Sequence, residues 1–189
     1  MNASDIVMPM STVSPVSHPL RPTGEAEAQL WDIAATVPDP EIPVISIADL
    51  GILRGVRFEG TTAVITITPT YSGCPAMDRI TSDVKEALLG AGFTDSTVEL
   101  VLHPAWSTDW MTEHGRDQLR DYGIAPPARR SDDGGNRVVR LTLTMPEAIA
   151  CPQCSSTNTR KLSHFGSTSC KSLHNCLDCL EPFDYFKVH

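Results

Sequence analysis

Four of the six cysteines form two Cys-x-x-Cys pairs, Cys151 with Cys154 and Cys176 with Cys179, with 21 residues between the pairs. A Cys-x-x-Cys turn brings two thiolates to one ion, and two such turns complete a tetrahedron. Zinc suits a closed four-thiolate site, at one ion per chain, and a single iron also fits. Four thiolates leave no open coordination position, so the metal's work there is structural: it holds together a segment too small to fold alone. A competing ligand set would use Cys170 with His174, four apart on a helical turn, but it would break up a symmetric pair of knuckles.

Cys74 is a second place for chemistry. It follows Gly73 and precedes Pro75 where a strand gives way to a helix, and proline favours the first helical turn. A thiol at such an N-terminus meets free amides and the positive end of the helix dipole. These stabilise its thiolate as a nucleophile or a ligand for a soft metal. The other reading of Cys74 is a small buried residue with an inert thiol. Asp39 and Glu41, held between prolines in Pro38-Asp39-Pro40-Glu41-Ile42-Pro43, form a third place. Two rigid carboxylates could hold a metal or a basic partner, although a turn closed by an Asp side-chain hydrogen bond needs less. His18, His103, His114, His164 and His189 have no partner at ligand spacing and read as surface or loop residues. No phosphate-binding loop, Gly-x-Ser-x-Gly elbow or His-Glu-x-x-His is present.

The elements that must position these groups follow from periodicity and punctuation. Residues 1–22 are rich in Pro, Ser, Thr and Met and read as a disordered lead. Thr23 can cap a first helix, with Leu30, Ile33, Ala34 and Val37 on one face, stopped by the prolines after it. Ile52, Arg54, Val56 and Phe58 alternate along a strand, Glu59-Gly60 turns, and Ala63, Ile65 and Ile67 give the second strand an apolar face. A helix with Met77, Ile80, Val84 and Leu88 aligned then ends at Gly90 and Gly92. Val98, Leu100 and Leu102 form a third strand, which a right-handed crossover can set beside an earlier one.

The order implies an α/β (α+β) fold: a small two-layer α-β-β-α-β sandwich over residues 23–124, followed by a four-cysteine metal ribbon. Trp106 and Trp110 should pack across the sheet edge, and Glu113 to Tyr122 reads as a short helix. Residues 125–137 read as a linker and 138–189 as the ribbon, entered by a strand from Val138 to Leu143.

Composition narrows the function classes. Net charge is −8. Between Glu25 and Ile124 there are 6 basic and 16 acidic residues, against 8 basic and 6 acidic from Ala125 onward. An acidic body argues against nucleic acid, whose phosphates need Lys and Arg. No apolar run approaches the ~18 residues of a membrane span, and the start carries no signal-peptide pattern. A soluble cytoplasmic protein is the expectation, and in that compartment paired cysteines favour metal over disulfides.

Longer motifs add a resemblance. Val37-Pro38-Asp39-Pro40-Glu41-Ile42-Pro43, Ile47-Ala48-Asp49-Leu50-Gly51-Ile52 and Thr68-Pro69-Thr70-Tyr71-Ser72-Gly73-Cys74-Pro75 resemble the SufT-type family of iron–sulfur assembly factors, over roughly residues 25–124. His103-Pro104-Ala105-Trp106-Ser107-Thr108-Asp109-Trp110, Phe165-Gly166-Ser167-Thr168-Ser169-Cys170-Lys171 and Glu181-Pro182-Phe183-Asp184-Tyr185-Phe186-Lys187 are similar to the PaaD family of phenylacetate-degradation proteins. A departure is Val188-His189, where that family leads one to expect Cys-His.

The resemblance implies a non-enzymatic accessory role beside the phenylacetyl-CoA epoxidase (the ring 1,2-monooxygenase), assembling or maintaining its iron–sulfur or di-iron centres. It implies Asp39, Glu41 and Cys74 as functional positions, with iron or an iron–sulfur cluster held transiently at Cys74. The implied partners are the epoxidase subunits, above all the flavin and iron–sulfur reductase, and the iron–sulfur assembly machinery. The rival implication is a non-catalytic structural subunit of the oxygenase.

Overall fold

The computed structural model describes residues 18–71, 73–127 and 148–187. The expected strand at Val138–Leu143, most of the expected linker, the first seventeen residues, Ser72, Val188 and His189 lie outside the described residues.

The expected sandwich is present. Helix α1 (Glu25–Ala34) leads through an irregular segment to strand β1 (Leu53–Glu59), strand β2 (Thr62–Ile67), helix α2 (Ala76–Gly90) and strand β3 (Ser96–Leu100). The sheet order is β1-β2-β3, with β1 antiparallel and β3 parallel to β2. A parallel partner needs a crossover, and α2 supplies it. Helix α1 packs on β1 and α2 on β3, so both helices cover one face. Ala63, Ile65 and Ile67 turn into the core, as do Met77, Ile80, Val84 and Leu88 of α2.

Local details shift for local reasons. Helix α1 starts after Gly24, without a side-chain cap, so Thr23 is not its cap. The hairpin pairs Glu59 with Thr62, which moves the turn one residue on to Gly60-Thr61, and Gly60 takes the φ of +61° that the tight loop requires. Leu100 is exposed rather than core, because β3 is the sheet edge and has a neighbour on one side only, and Leu102, also exposed, lies beyond the end of that strand. His18 is not a surface residue: its ring lies 4.9 Å from that of Trp31 and is buried, while Arg21 pairs with Asp32 of α1. The last residues of the expected lead are therefore fastened to the first helix.

The segment after β3 returns across the sandwich. Trp106 is buried and donates its indole N–H to the Leu50 carbonyl at 3.1 Å, and Arg54 stacks on Trp110 at 3.5 Å. Thr112 caps helix α3 (Glu113–Asp121) by accepting from Gly115 N–H, and donates its hydroxyl to Asp49 at 2.6 Å. Strand β4 (Ile124–Ala125) follows at once. It pairs in parallel with the last strand of the ribbon sheet, whose order is β4-β7-β6-β5, with β5 at Thr159–Ser163, β6 at Lys171–Cys176 and β7 at Pro182–Phe186. Ala125, expected to open the linker, is thus a sheet residue.

The ribbon also shares the main core. Phe186 is fully buried with its ring 5.9 Å from that of Trp106, and Cys170 belongs to the same cluster as Ile80 and Leu119.

Candidate functional site

The ribbon cysteines converge. All four sulfurs lie within 4.8 Å of one another. Cys151 Sγ is 3.7 Å from Cys179 Sγ, and Cys154 Sγ is 3.6 Å from Cys176 Sγ. A tetrahedron of metal–sulfur bonds near 2.3 Å has edges of about 3.8 Å, so the donor set fits one four-coordinate ion.

The two knuckles are built alike. Cys151 N–H donates to Ser156 and Cys176 N–H to Glu181, each at 2.9 Å, and the residue after each second cysteine (Ser155, Leu180) has positive φ. Four thiols this close cannot all ionise unaided. Cys176 is held down at about 7, chiefly by the Cys179 N–H. Cys179 is pushed up to about 12 by burial and its sulfur neighbours, against the pull of the Glu181 N–H. A cation replaces the thiol protons and removes that conflict.

The other candidates lie within electrostatic reach of one another at a second place. Asp39 is buried, and its Oδ1 accepts from the N–H groups of Glu41 and Ile42 at 2.8 and 2.9 Å. Its own N–H donates to Ile45 O at 2.9 Å. The side chain therefore closes the turn that carries Glu41. Burial raises the Asp39 pKa, against the two N–H groups and Lys171. Burial also raises Glu41, with a further push from Asp39.

Cys74 is half-buried, one residue ahead of the α2 N-cap Pro75. Gly73, at φ +82°, makes the bend that delivers it. Its sulfur meets the Ala76 N–H and the Thr70 side chain, and it senses both Glu41 and Asp39. The helix end does not win: burial and the two carboxylates push the Cys74 thiol up, so of the two readings of Cys74 the acid-shifted thiolate is the one the site disfavours. Desolvation disfavours the charged form, and one amide does not offset it.

The structure adds contacts that spacing did not point to. Cys170 Sγ lies 3.9 Å from Glu41 Oε2 and 3.0 Å from Thr168 Oγ1. The Tyr71 hydroxyl meets the Ser169 side chain, which ties the Cys74 loop to the ribbon. Lys171 is almost fully buried with its ammonium 3.6 Å from Asp184. The competing Cys170 and His174 pair is not formed, because Cys170 sits in the turn before β6 and His174 lies in that extended strand, so no helical turn sets them on one face. His174 bonds Ser172 at 3.0 Å and stacks on Phe183 instead. A signal for Cys170 and Lys171 did exist in the sequence, since both sit in the Phe165–Lys171 motif.

Comparison with known proteins accords with this division. Residues 27–100 match the family model described as iron-sulfur cluster assembly protein, and residues 136–187 match the one described as PaaD zinc beta ribbon domain. An Escherichia coli (strain K12) protein, named as a subunit of the 1,2-phenylacetyl-CoA epoxidase, is 47% identical over 84% of this chain and 91% of its own length. An "Fe-S protein maturation auxiliary factor" of Porphyromonas gingivalis (strain ATCC BAA-308 / W83) is 33% identical over 50% of this chain and 91% of its own. A crystal structure of a DUF59 domain from Bacillus anthracis aligns at 33% identity and a TM-score of 0.46, covering 49% of this chain and 90% of that one. Among the described residues no helix is long and apolar enough to cross a membrane. An assembly-type domain, a four-cysteine ribbon and a relative matched along nearly its whole length together place this chain in the PaaD family.

Proposed function

We propose that this protein is a non-enzymatic accessory factor of aerobic phenylacetate degradation, acting in the cytoplasm. It helps assemble or maintain the iron–sulfur or di-iron centres of the phenylacetyl-CoA epoxidase. The observation that supports this reading most is that Cys74, beside a helix start, lies within electrostatic reach of the carboxylates of Asp39 and Glu41. A protonated, half-buried thiol is a poor nucleophile, but a soft cation can displace its proton. Cys74 then holds iron or a cluster fragment as cargo, and the carboxylates balance its charge.

The ribbon holds zinc as a structural ion and docks the client. The client is an epoxidase subunit, above all the flavin and iron–sulfur reductase, with the assembly machinery as donor. The second reading, a structural subunit of the oxygenase, is favoured by the name of the Escherichia coli relative.

Cells carrying Cys74→Ser decide between the two. On the factor reading they fail to grow on phenylacetate, while epoxidase and reductase accumulate short of iron. Normal growth with fully metallated enzymes, together with fixed-ratio co-purification with the complex, would return the protein to the subunit class.

A further inference from the structure

A cleft of about 530 Å³ lies where the domain meets the ribbon, within the size range of ligand-binding pockets. Glu41 and Tyr122 line it from the domain, and Phe165, Leu173, Lys171 and Asp184 line it from the ribbon. Neither the four ribbon cysteines nor Cys74 is part of its wall.

Two of its three charges are closed on each other. Lys171 is buried with its ammonium 3.6 Å from Asp184 Oδ2, and the same oxygen accepts from the Ser167 hydroxyl at 2.7 Å. Gly166 makes room for this seat, since a Cβ there would collide with Asp184 Oδ1. Glu41 is different. It is half-exposed, its carboxylate meets the Cys170 thiol at 3.9 Å, and among the described residues it has no ion-pair partner. The cleft therefore presents one uncompensated negative charge.

The walls beside that charge are apolar. Phe165 is 61% exposed and Tyr122 is 55% exposed, with half-buried Leu173 between ribbon and cleft. Phe165 already holds a cation, because the Lys187 ammonium stands 4.8 Å from its ring centroid. Aromatic rings are enriched at the contacts between proteins, where arginine is the charged residue most favoured.

We propose that this cleft docks the client polypeptide through one of its arginines, with the guanidinium on the Glu41 carboxylate and the flanking apolar residues on Phe165 and Tyr122. The inference rests on the accessory-factor reading and names the chemistry of the client surface. Arginine suits the lining better than lysine, since its planar fork meets a carboxylate with two hydrogen bonds, stacks on rings and loses less hydration. An anionic partner finds no such place, because the Lys171 ammonium is buried and committed to Asp184. Docking also brings the client towards Cys74, on whose thiol Glu41 acts. A guanidinium on Glu41 offsets one of the charges that keep that thiol protonated, so client docking and metal loading favour each other.

The test uses the full chain with its ribbon loaded with zinc, and a short blocked peptide carrying one arginine between two leucines. Amide chemical shifts and the fluorescence anisotropy of a labelled copy follow binding. Saturable binding is expected, with shifts at Tyr122, Phe165 and Gly166. The same peptide with citrulline for arginine keeps the shape but not the charge, and should bind about 10-fold more weakly or worse. Glu41→Gln should weaken the arginine peptide by about the same factor and leave the citrulline peptide unchanged. Phe165→Ala, at an exposed position outside the core, should weaken both peptides.

Equal binding of the arginine and citrulline peptides, or undiminished binding by Glu41→Gln, would overturn the inference. So would tighter binding of a peptide with glutamate in place of arginine, shifts confined to another face, or no saturable binding by the wild type. Each of these leaves the accessory-factor reading in place, which falls only on the growth and metallation result for Cys74→Ser.

Discussion

Asp39→Asn should leave the fold as stable as before, whereas Asp39→Ala should weaken it. Asp39 Oδ1 takes two backbone N–H groups, those of Glu41 and Ile42, at 2.8 and 2.9 Å. Asn presents a carbonyl oxygen in the same place. Ala leaves both donors without a partner, at about 1–3 kcal/mol per buried group. Glu41 is half-exposed, so its N–H recovers water and the sum stays at about 2–3 kcal/mol. For a chain of this size that lowers the melting temperature by roughly 5–10 °C.

The charge of Asp39 works in the opposite direction. Burial raises its folded pKa above the ordinary 3.8. The stability it contributes is present in full below that value and lost as pH rises through the folded pKa. Asn cannot ionise, so Asp39→Asn should equal or exceed the wild type at pH 7, and the difference should shrink on acidification. Thermal unfolding followed by tryptophan fluorescence at pH 7 and near pH 4, with zinc present, measures both effects. If Asn costs as much as Ala at pH 7, the carboxylate charge rather than the acceptor holds the turn, and the reasoning fails. If Asp39→Asn is stable yet cells carrying it cannot use phenylacetate, Asp39 acts on cargo as well.

Phe186→Ala removes a fully buried ring that packs on Trp106. It should cost about 3–5 kcal/mol while the ribbon keeps its zinc, and Cys170 should become open to alkylation. Cys151→Ser should lose the ion and also lower the melting temperature of the helical domain, because β4 pairs with β7 and Phe186 sits in the shared core. An unchanged domain transition would show the ribbon to be independent. Alkylation of Cys74 should be slower in the folded chain than in the unfolded one at pH 7, and should rise only above the ordinary cysteine pKa, since burial pushes that thiol up. A midpoint below the ordinary value would show that the helix end dominates after all.

The convergence of the ribbon cysteines was legible because it is written in local spacing: each Cys-x-x-Cys is a turn, and two turns bring four sulfurs together. The sandwich was legible for a similar reason, as Ile65 and Ile67 or Ile80 and Val84 declare their faces within a few residues. Energies summed over long distances were not legible. The Cys74 titration depends on how deeply the loop is buried and on carboxylates 33 and 35 residues earlier in the chain. A helix-end argument sees only the nearest amide. The approach of Cys170 to Glu41 has no local signature at all. Exposure of Leu100 likewise reflects a sheet edge, which alternation along one strand cannot reveal.

The shared core changes what the ribbon is for. A ribbon joined only by a linker would deliver its binding energy for metal to its own fold and to nothing else. Here β6 begins at Lys171 and β7 ends at Phe186, and these ends are the parts that meet the domain. The Lys187 N–H closes on the Cys170 carbonyl at 3.0 Å, so the two strand ends form one unit. A metal held by the cysteines at the far end of the same hairpin would fix the register of β6 against β7, and with it the position of Cys170, Lys171 and Phe186. Binding free energy from the ribbon ion is folding free energy for that hairpin. Part of it therefore goes into holding a thiol and a cation against Glu41. An ion in the ribbon would thereby be coupled to the Cys74 site along the two strands of that hairpin. Loss of the ion should then disturb the Cys74 site without touching any residue in it.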